Sequence, residues 1–310
     1  MKKLGMFICL AVGTLALIAP AFPKTATNQG WGQAIVTVLP KHDIKGPVNI
    51  TQQDLRVEVS GKESSITNWL PLRGPDSDLE LAILIDSSAR TSLGLQLRDI
   101  AHFIQSLPVG AKVTVGYMEA GSAVLAGPLS TDHAQVAGYL QVPNGFPGSS
   151  GSPYFCLSDL AKHWPSTDLL ARREVVMVTD GVDDYAPHYD PTDPYFTAAV
   201  KDSVRAGLVV YSIYWKDQGR LDNSSYASFD GQSLLAILTE ATGGVSYWEG
   251  RGNPVSFSPY FTDIALNLQN QYRLSFHSPL KGKPEVEKMV LKTVSLAAEV
   301  RAPRQVFIER

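Results

Sequence analysis

Two apolar runs in this 310-residue chain stop abruptly in oxygen-bearing side chains. The first is Leu81-Ala-Ile-Leu-Ile-Asp86-Ser87-Ser88, and the second is Glu174-Val-Val-Met-Val-Thr179-Asp180-Gly181. Two carboxylates with hydroxyls beside them make an oxygen-only donor set, which suits Mg²⁺ or another hard divalent cation and gives softer metals little hold. If Asp86 and Asp180 approach within ~5 Å they repel by about 3 kcal/mol at an effective dielectric of 20, so something must neutralise them. A divalent cation is one answer. Arg90, four residues beyond Asp86, is another, because its guanidinium can fold back as a built-in counter-ion and metal substitute. A third reading is plainer: Asp86 and Ser88 cap the helix that follows them.

The elements that carry these residues are legible from their composition. Unbroken Ile- and Val-rich runs read as strands buried on both faces, the central strands of a parallel sheet. In such a sheet the ligand crevice lies at the carboxyl ends of the strands, where both Asp residues stand. Further strands are expected near 112–118, 123–128, 207–213 and 245–248, alternating with helices. Leu97, Ile100, Ala101 and Ile104 share one helical face, and Asp193-Pro194 reads as a helix cap followed by proline at the first position. The spacing therefore predicts a doubly wound, mostly parallel α/β domain over residues 79–271. Short alternating runs precede it at 33–73 and follow it at 272–310, each too few to close a core alone. Their pairing into a small β-sandwich, with the α/β domain inserted, relieves both deficits.

On these residues the chain resembles the von Willebrand factor type A (VWFA) domain. Its metal-ion-dependent adhesion site reads Asp-x-Ser-x-Ser after the first strand, a Thr in a later loop and an Asp after the fourth strand. Asp86, Ser88 and Thr179-Asp180-Gly181 match; Arg90 replaces the second Ser, and Ser152 in Gly148-Ser-Ser-Gly-Ser152-Pro153 is the candidate for the loop hydroxyl. Arg205-Ala-Gly-Leu-Val-Val-Tyr-Ser-Ile213, Leu238-Thr-Glu-Ala-Thr-Gly-Gly244 and Tyr272-Arg-Leu-Ser-Phe276, with the N-terminal strand region, are similar to the VWFA-related acidobacterial family of secreted proteins. The resemblance implies a metal assignment of Asp86, Ser88, Ser152 and Asp180. It also implies that the cation is adhesive, completing its shell with an acidic residue of a protein ligand, and is not a catalyst.

The segment after Asp180 must lie on the same edge of the sheet. It interleaves carboxylates and rings, Asp183-Asp184-Tyr185 and Tyr189-Asp190 through Asp193 and Tyr195, a composition that suits a partner-binding rim because Tyr buries area while ordering few torsions. A self-packed, solvated loop is the alternative. Trp215 to Arg220 and the polar stretch to Asp230 make a second rim candidate. A net charge of −3 without long runs argues against nucleic acid. Lys2, Lys3, the apolar stretch Met6 to Ile18 and Ala19-Pro20-Ala21 read as a signal peptide over 1–21, with 22–32 a flexible leader. A retained anchor is the other reading of that run, and no other stretch is long enough to span a bilayer. Export to the periplasm, envelope or medium follows. Cys156 reads as a small buried hydrophobe, since nothing cationic flanks it. The six His residues form no metalloprotease or nucleophile-elbow pattern, and the Gly148 to Gly151 loop lacks a phosphate-binding Lys. The expectation is a binding module and not an enzyme, with no organic cofactor. A structural envelope protein with a decayed metal site is the alternative, and a hydrolase using His188 with Ser152 is a remote third.

Overall fold

The computed structural model describes residues 29–42, 48–186, 188–216, 225–250, 252–279 and 282–310. The expected signal peptide and residues 22–28 of the leader lie outside these. Residues 29–32, expected in the leader, instead open the first strand. Two glycines hide the alternation there, and long-range pairing supplies the order that periodicity does not. Gly32 passes so close to Phe276 that a Cβ would sit 2.7 Å from the ring.

The chain begins with β1 (Gln29–Pro40), β2 (Leu55–Val59) and β3 (Lys62–Pro71). It then enters an α/β unit: β4 (Leu79–Asp86), α1 (Leu97–Ser106), β5 (Lys112–Glu119), β6 (Ser122–Leu125), α2 (His133–Ala137), α3 (Pro153–Lys162), β7 (Arg172–Thr179), α4 (Pro194–Arg205), β8 (Leu208–Tyr214), α5 (Ser225–Thr242), β9 (Ser246–Tyr247) and α6 (Ser258–Gln269). It returns through β10 (Gln271–Pro279), β11 (Glu285–Thr293), β12 (Ala298–Arg301) and β13 (Gln305–Glu309).

The first and last groups share one antiparallel sheet in the order β10-β3-β2-β11-β13-β1, and β1 pairs back onto β10. The expected two-layer sandwich is thus a closed six-stranded barrel, with β12 added to the second half of β1. Closure removes the exposed edges that seven short strands would otherwise present. Its interior is Val36, Val57, Leu274, Phe276, Met289, Val306 and Ile308, all buried.

The second sheet runs β6-β5-β4-β7-β8-β9, parallel except for β6. Every residue of β4, β7 and β8 is buried, as continuous apolar runs require when helices cover both faces. Ile100, Phe103 and Ile104 of α1 meet Phe261, Ile264 and Leu268 of α6 on one face; α3, α4 and α5 cover the other with Tyr154, Leu157, Phe196, Val200, Leu235 and Leu238. Each such side chain, fully buried, contributes roughly 1.5–3 kcal/mol. Strand order reverses between β4 and β7, because the chain goes from β4 to β5 on one side and resumes with β7 on the other. Among the described residues no helix is long and apolar enough to cross a membrane.

Candidate functional site at the sheet switch point

The reversal between β4 and β7 leaves a crevice at their carboxyl ends, and Asp86 stands at its floor with 1 % of its surface exposed. Its Oδ1 accepts from the Ser88 backbone N–H at 2.9 Å and from Ser88 Oγ at 2.5 Å; its Oδ2 accepts from Thr179 Oγ1 at 2.7 Å. The expected helix cap takes a smaller form: Asp86 caps the short turn Ser87–Ala89, in which Ser88 itself lies, and α1 starts only at Leu97. The carboxylate also bridges the two central strands. Burial pushes the Asp86 carboxyl above the usual carboxylate range, and the hydrogen bonds of Ser88 and Thr179, with a contribution from Ser150, pull it part of the way back.

Ser150 carries no mark in the sequence that sets it apart from Ser149 or Ser152. It is fully buried, near enough to Asp86 to affect its ionisation, yet its Oγ meets no partner in bonding geometry among the described residues. Ser152, the expected loop hydroxyl, does something else: its Oγ donates to Asp183 Oδ2 at 2.9 Å and accepts from Phe155 N at 3.4 Å at the start of α3. The loop is pinned by the β5–β6 turn, where Ala120 N and Gly121 N donate to the carbonyls of Ser149 and Ser150 at 2.8 and 2.7 Å. Only the hairpin's position distinguishes the two serines.

Asp180 is buried beside them, its Oδ1 accepting from Val182 N at 2.9 Å. The turn after it needs Gly181, whose φ is 70° and whose N–H donates to Thr179 Oγ1 at 3.1 Å. Gly231 of α5 closes on this turn so tightly that a Cβ would sit 2.1 Å from the Asp180 carbonyl oxygen. Tyr154 donates to Gly181 O at 2.7 Å, and its hydroxyl is held far above the usual phenol range by burial first and by the charges of Asp180 and Asp183 next.

Arg90 does not cover the carboxylates. It is exposed, lies between two short 3₁₀ turns at φ 57°, ψ −161°, and makes no ion pair among the described residues. Three donors already occupy Asp86, and drawing a guanidinium into that buried floor would cost its hydration. The expected counter-ion role therefore has no counterpart in this geometry.

At the rim, Asp183 is buried on Ser152, and its Oδ1 accepts from Tyr185 N at 2.9 Å. Asp184 is exposed, and its N–H donates to Gly151 O at 2.9 Å. Tyr185 and Tyr195, 61 % and 60 % exposed, both rest on Phe155 of α3: the first stacks at 5.3 Å and the second meets it edge-on at 5.2 Å. Tyr189 and Asp190 are exposed, and the Thr192 hydroxyl and N–H hold the Asp190 carboxyl below its ordinary range. Phe155, unmarked in the sequence, is the shared support. Of the second rim candidate, residues 217–224 lie outside the described ones, and Trp215 is no rim residue: it is buried edge-on against Phe257 at 5.3 Å. His188 is exposed.

Strand order, one antiparallel edge strand, and Asp-x-Ser and Thr-Asp turns meeting across the switch point are the arrangement the resemblance implies. The α/β domain thus has the strand order that its resemblance to the VWFA domain implies. No protein-family model matches the chain, and no curated protein matches it. Similar solved structures include BatB from Bacteroides thetaiotaomicron, at 14% identity and TM-score 0.42 over 61% of this chain and 97% of that one. The pilus adhesin SpaC from Lactobacillus rhamnosus GG, in its open conformation, is similar at 10% identity and TM-score 0.44 over 87% of this chain and 48% of its own. The SpRpn10 VWA domain is similar at 10% identity and TM-score 0.35, over 61% and 93%.

Whether a hard cation fits can be judged from the donors. Asp86, Ser88, Ser150, Thr179 and Asp180 offer oxygen alone, and the buried Ser150 hydroxyl lacks a partner that a cation or its water would supply. No group of three His, Cys, Asp or Glu side chains gathers among the described residues; the donors named are all oxygens, the type that Mg²⁺ and Ca²⁺ take. The residues fit.

Proposed function

We propose that this protein is an exported, envelope-facing or secreted binding module that recognises a protein partner at the carboxyl edge of its α/β sheet. The observation that carries this reading is the pairing of a buried, oxygen-only floor, Asp86 with Ser88, Thr179 and the unpartnered Ser150, with a rim whose Tyr185 and Tyr195 stay more than half exposed. In it Asp86, Ser88, Ser150 and Asp180 hold a divalent cation, which supplies a Lewis-acidic contact for a carboxylate of the partner. Tyr185 and Tyr195, braced on Phe155, supply apolar area that is already ordered before binding. The reading assigns no catalysis. Ser152 Oγ is engaged by Asp183, and no His bonds to a hydroxyl of the site among the described residues.

Calorimetric titration of the purified chain with Mg²⁺, Ca²⁺ and Mn²⁺ tests the cation. Saturable binding is expected, lost in Asp180→Ala and Ser150→Ala/Asp86→Ala, and nearly equal in Arg90→Ser, because the Arg90 side chain already stands in water. No heat with any of the three, in parent and Arg90→Ser alike, would reject the cation and favour a structural envelope protein with a decayed site.

A further inference from the structure

At the opposite end of β7 a second buried carboxylate stands where the two sheets join. Glu174 has no exposed surface, and neither of its carboxylate oxygens has a hydrogen-bond partner among the described residues. Arg172, two residues earlier on the same face of the strand, is also buried. Its Nη1 donates to Leu268 O at 2.7 Å and to Gln271 Oε1 at 2.6 Å, while its Nε is left without an acceptor. Leu268 lies in the last turn of α6 and Gln271 begins β10, so these two bonds clamp the central strand of the α/β sheet to the chain's entry into the barrel. Gln271 also donates through Nε2 to Tyr211 OH at 3.2 Å, and its carbonyl accepts from Leu72 N at 2.9 Å beside the other crossing of the chain.

An unpartnered guanidinium N–H and an unpartnered carboxylate on one face of one strand, both shut away from bulk water, are an arrangement that cannot be neutral to protonation. The groups that bear on Glu174 are Arg172 on its own strand, the Gln271 amide of β10, and Tyr211 of β8; Arg273 of β10 acts on Arg172. Leu81 and Val209, its register partners on β4 and β8, are apolar. We propose that Glu174 and Gln271 compete for the Arg172 guanidinium, so that the joint between barrel and α/β unit is a proton-controlled latch: clamped to Gln271 while Glu174 is protonated, and loosened when the ionised carboxylate takes Arg172. Burial pushes the Glu174 carboxyl up to about 8, against which Arg172 and then Gln271 pull it down, so the exchange falls in an accessible range. An isolated buried charge is costly and a paired one much less so, which supplies the drive for the guanidinium to change partners.

The test is a pH-resolved mutant cycle on the full chain. Gln271→Leu should lower Tm by about 4 °C at pH 6, where the clamp depends on Gln271, and by less than about half of that at pH 9, where Glu174 holds the guanidinium. In a Glu174→Gln background the loss should be the same at both pH values. An equal loss at both pH values in the parent would overturn the proposal, as would a pH-dependent loss that survives Glu174→Gln. Should Gln271→Leu fail to fold, carboxyl ¹³C and guanidinium ¹⁵N resonances of the unmodified chain decide the matter. Glu174 and the Arg172 Nε must then titrate together between pH 6 and 9, and an Arg172 signal indifferent to the titration of Glu174 sinks it.

Discussion

The two ends of strand β7 bury carboxylates in opposite ways. At the carboxyl end Asp86, across from Thr179, accepts from three donors; at the amino end Glu174 accepts from none in bonding geometry. Burial raises both acids; it is opposed at the first by the hydroxyl and amide donors of Ser88 and Thr179, and at the second by the Arg172 charge and then the Gln271 amide. The difference separates a carboxylate held by bonded donors from one that keeps its proton up to about pH 8.

Glu174→Gln should produce the largest effect on that contrast. The folded-state value of about 8 lies above the ordinary 4.5. Below pH 4.5 both folded and unfolded chains are protonated and the group costs nothing. Between 4.5 and 8 the unfolded chain releases its proton while the folded one keeps it, so the stability present at low pH is lost progressively until pH 8. The Gln variant escapes that loss. Its advantage in chemical denaturation should be near zero at pH 4 and grow to on the order of 3–5 kcal/mol at pH 8. A constant difference across the range would mean that Glu174 is ionised throughout.

At the other end, Gly231→Ala should destabilise by about 3 kcal/mol, because the new methyl meets backbone at Asp180 and α5 must shift. Denaturant midpoints check this, and an unchanged midpoint would show that α5 does not close the turn. Thr179→Val removes the donor to Asp86 and the acceptor for Gly181 N; a loss of about 1–2 kcal/mol is expected, with weaker cation binding by calorimetry. Tyr185→Ala and Tyr195→Ala should each change stability by less than about 0.5 kcal/mol, since most of each ring is already in water. Their effect should appear instead in binding to a partner captured by the parent, and equal capture by the double variant would remove the rim from the recognition surface.

Much of the site was legible because its carriers are apolar runs that end in polar residues: β4 into Asp86-Ser87-Ser88 and β7 into Thr179-Asp180-Gly181. Burial on both faces makes such strands recognisable without knowledge of their neighbours. Glu174 follows Arg172 and Arg173 at the head of its apolar run, and strand recognition alone absorbs the three charges as a boundary. Ser150 and Ser152 were indistinguishable in Gly148-Ser-Ser-Gly-Ser, since both are small hydroxyls in a glycine-rich loop. Phe155 looked like any helix residue.

By itself, then, the sequence determined the alternation of buried strands and helices, the pair of acidic turns at one sheet edge, and the dependence of each terminal strand group on the other. These follow from side-chain hydropathy and spacing, which act locally. Tertiary structure alone decided that the terminal strands close into a barrel, that Ser150 faces Asp86 while Ser152 turns to Asp183, that Arg90 stays in water, and that Gln271 reaches Arg172. Each of those outcomes depends on which distant backbone arrives beside a residue, and on whether the donors it brings have already filled the available acceptors.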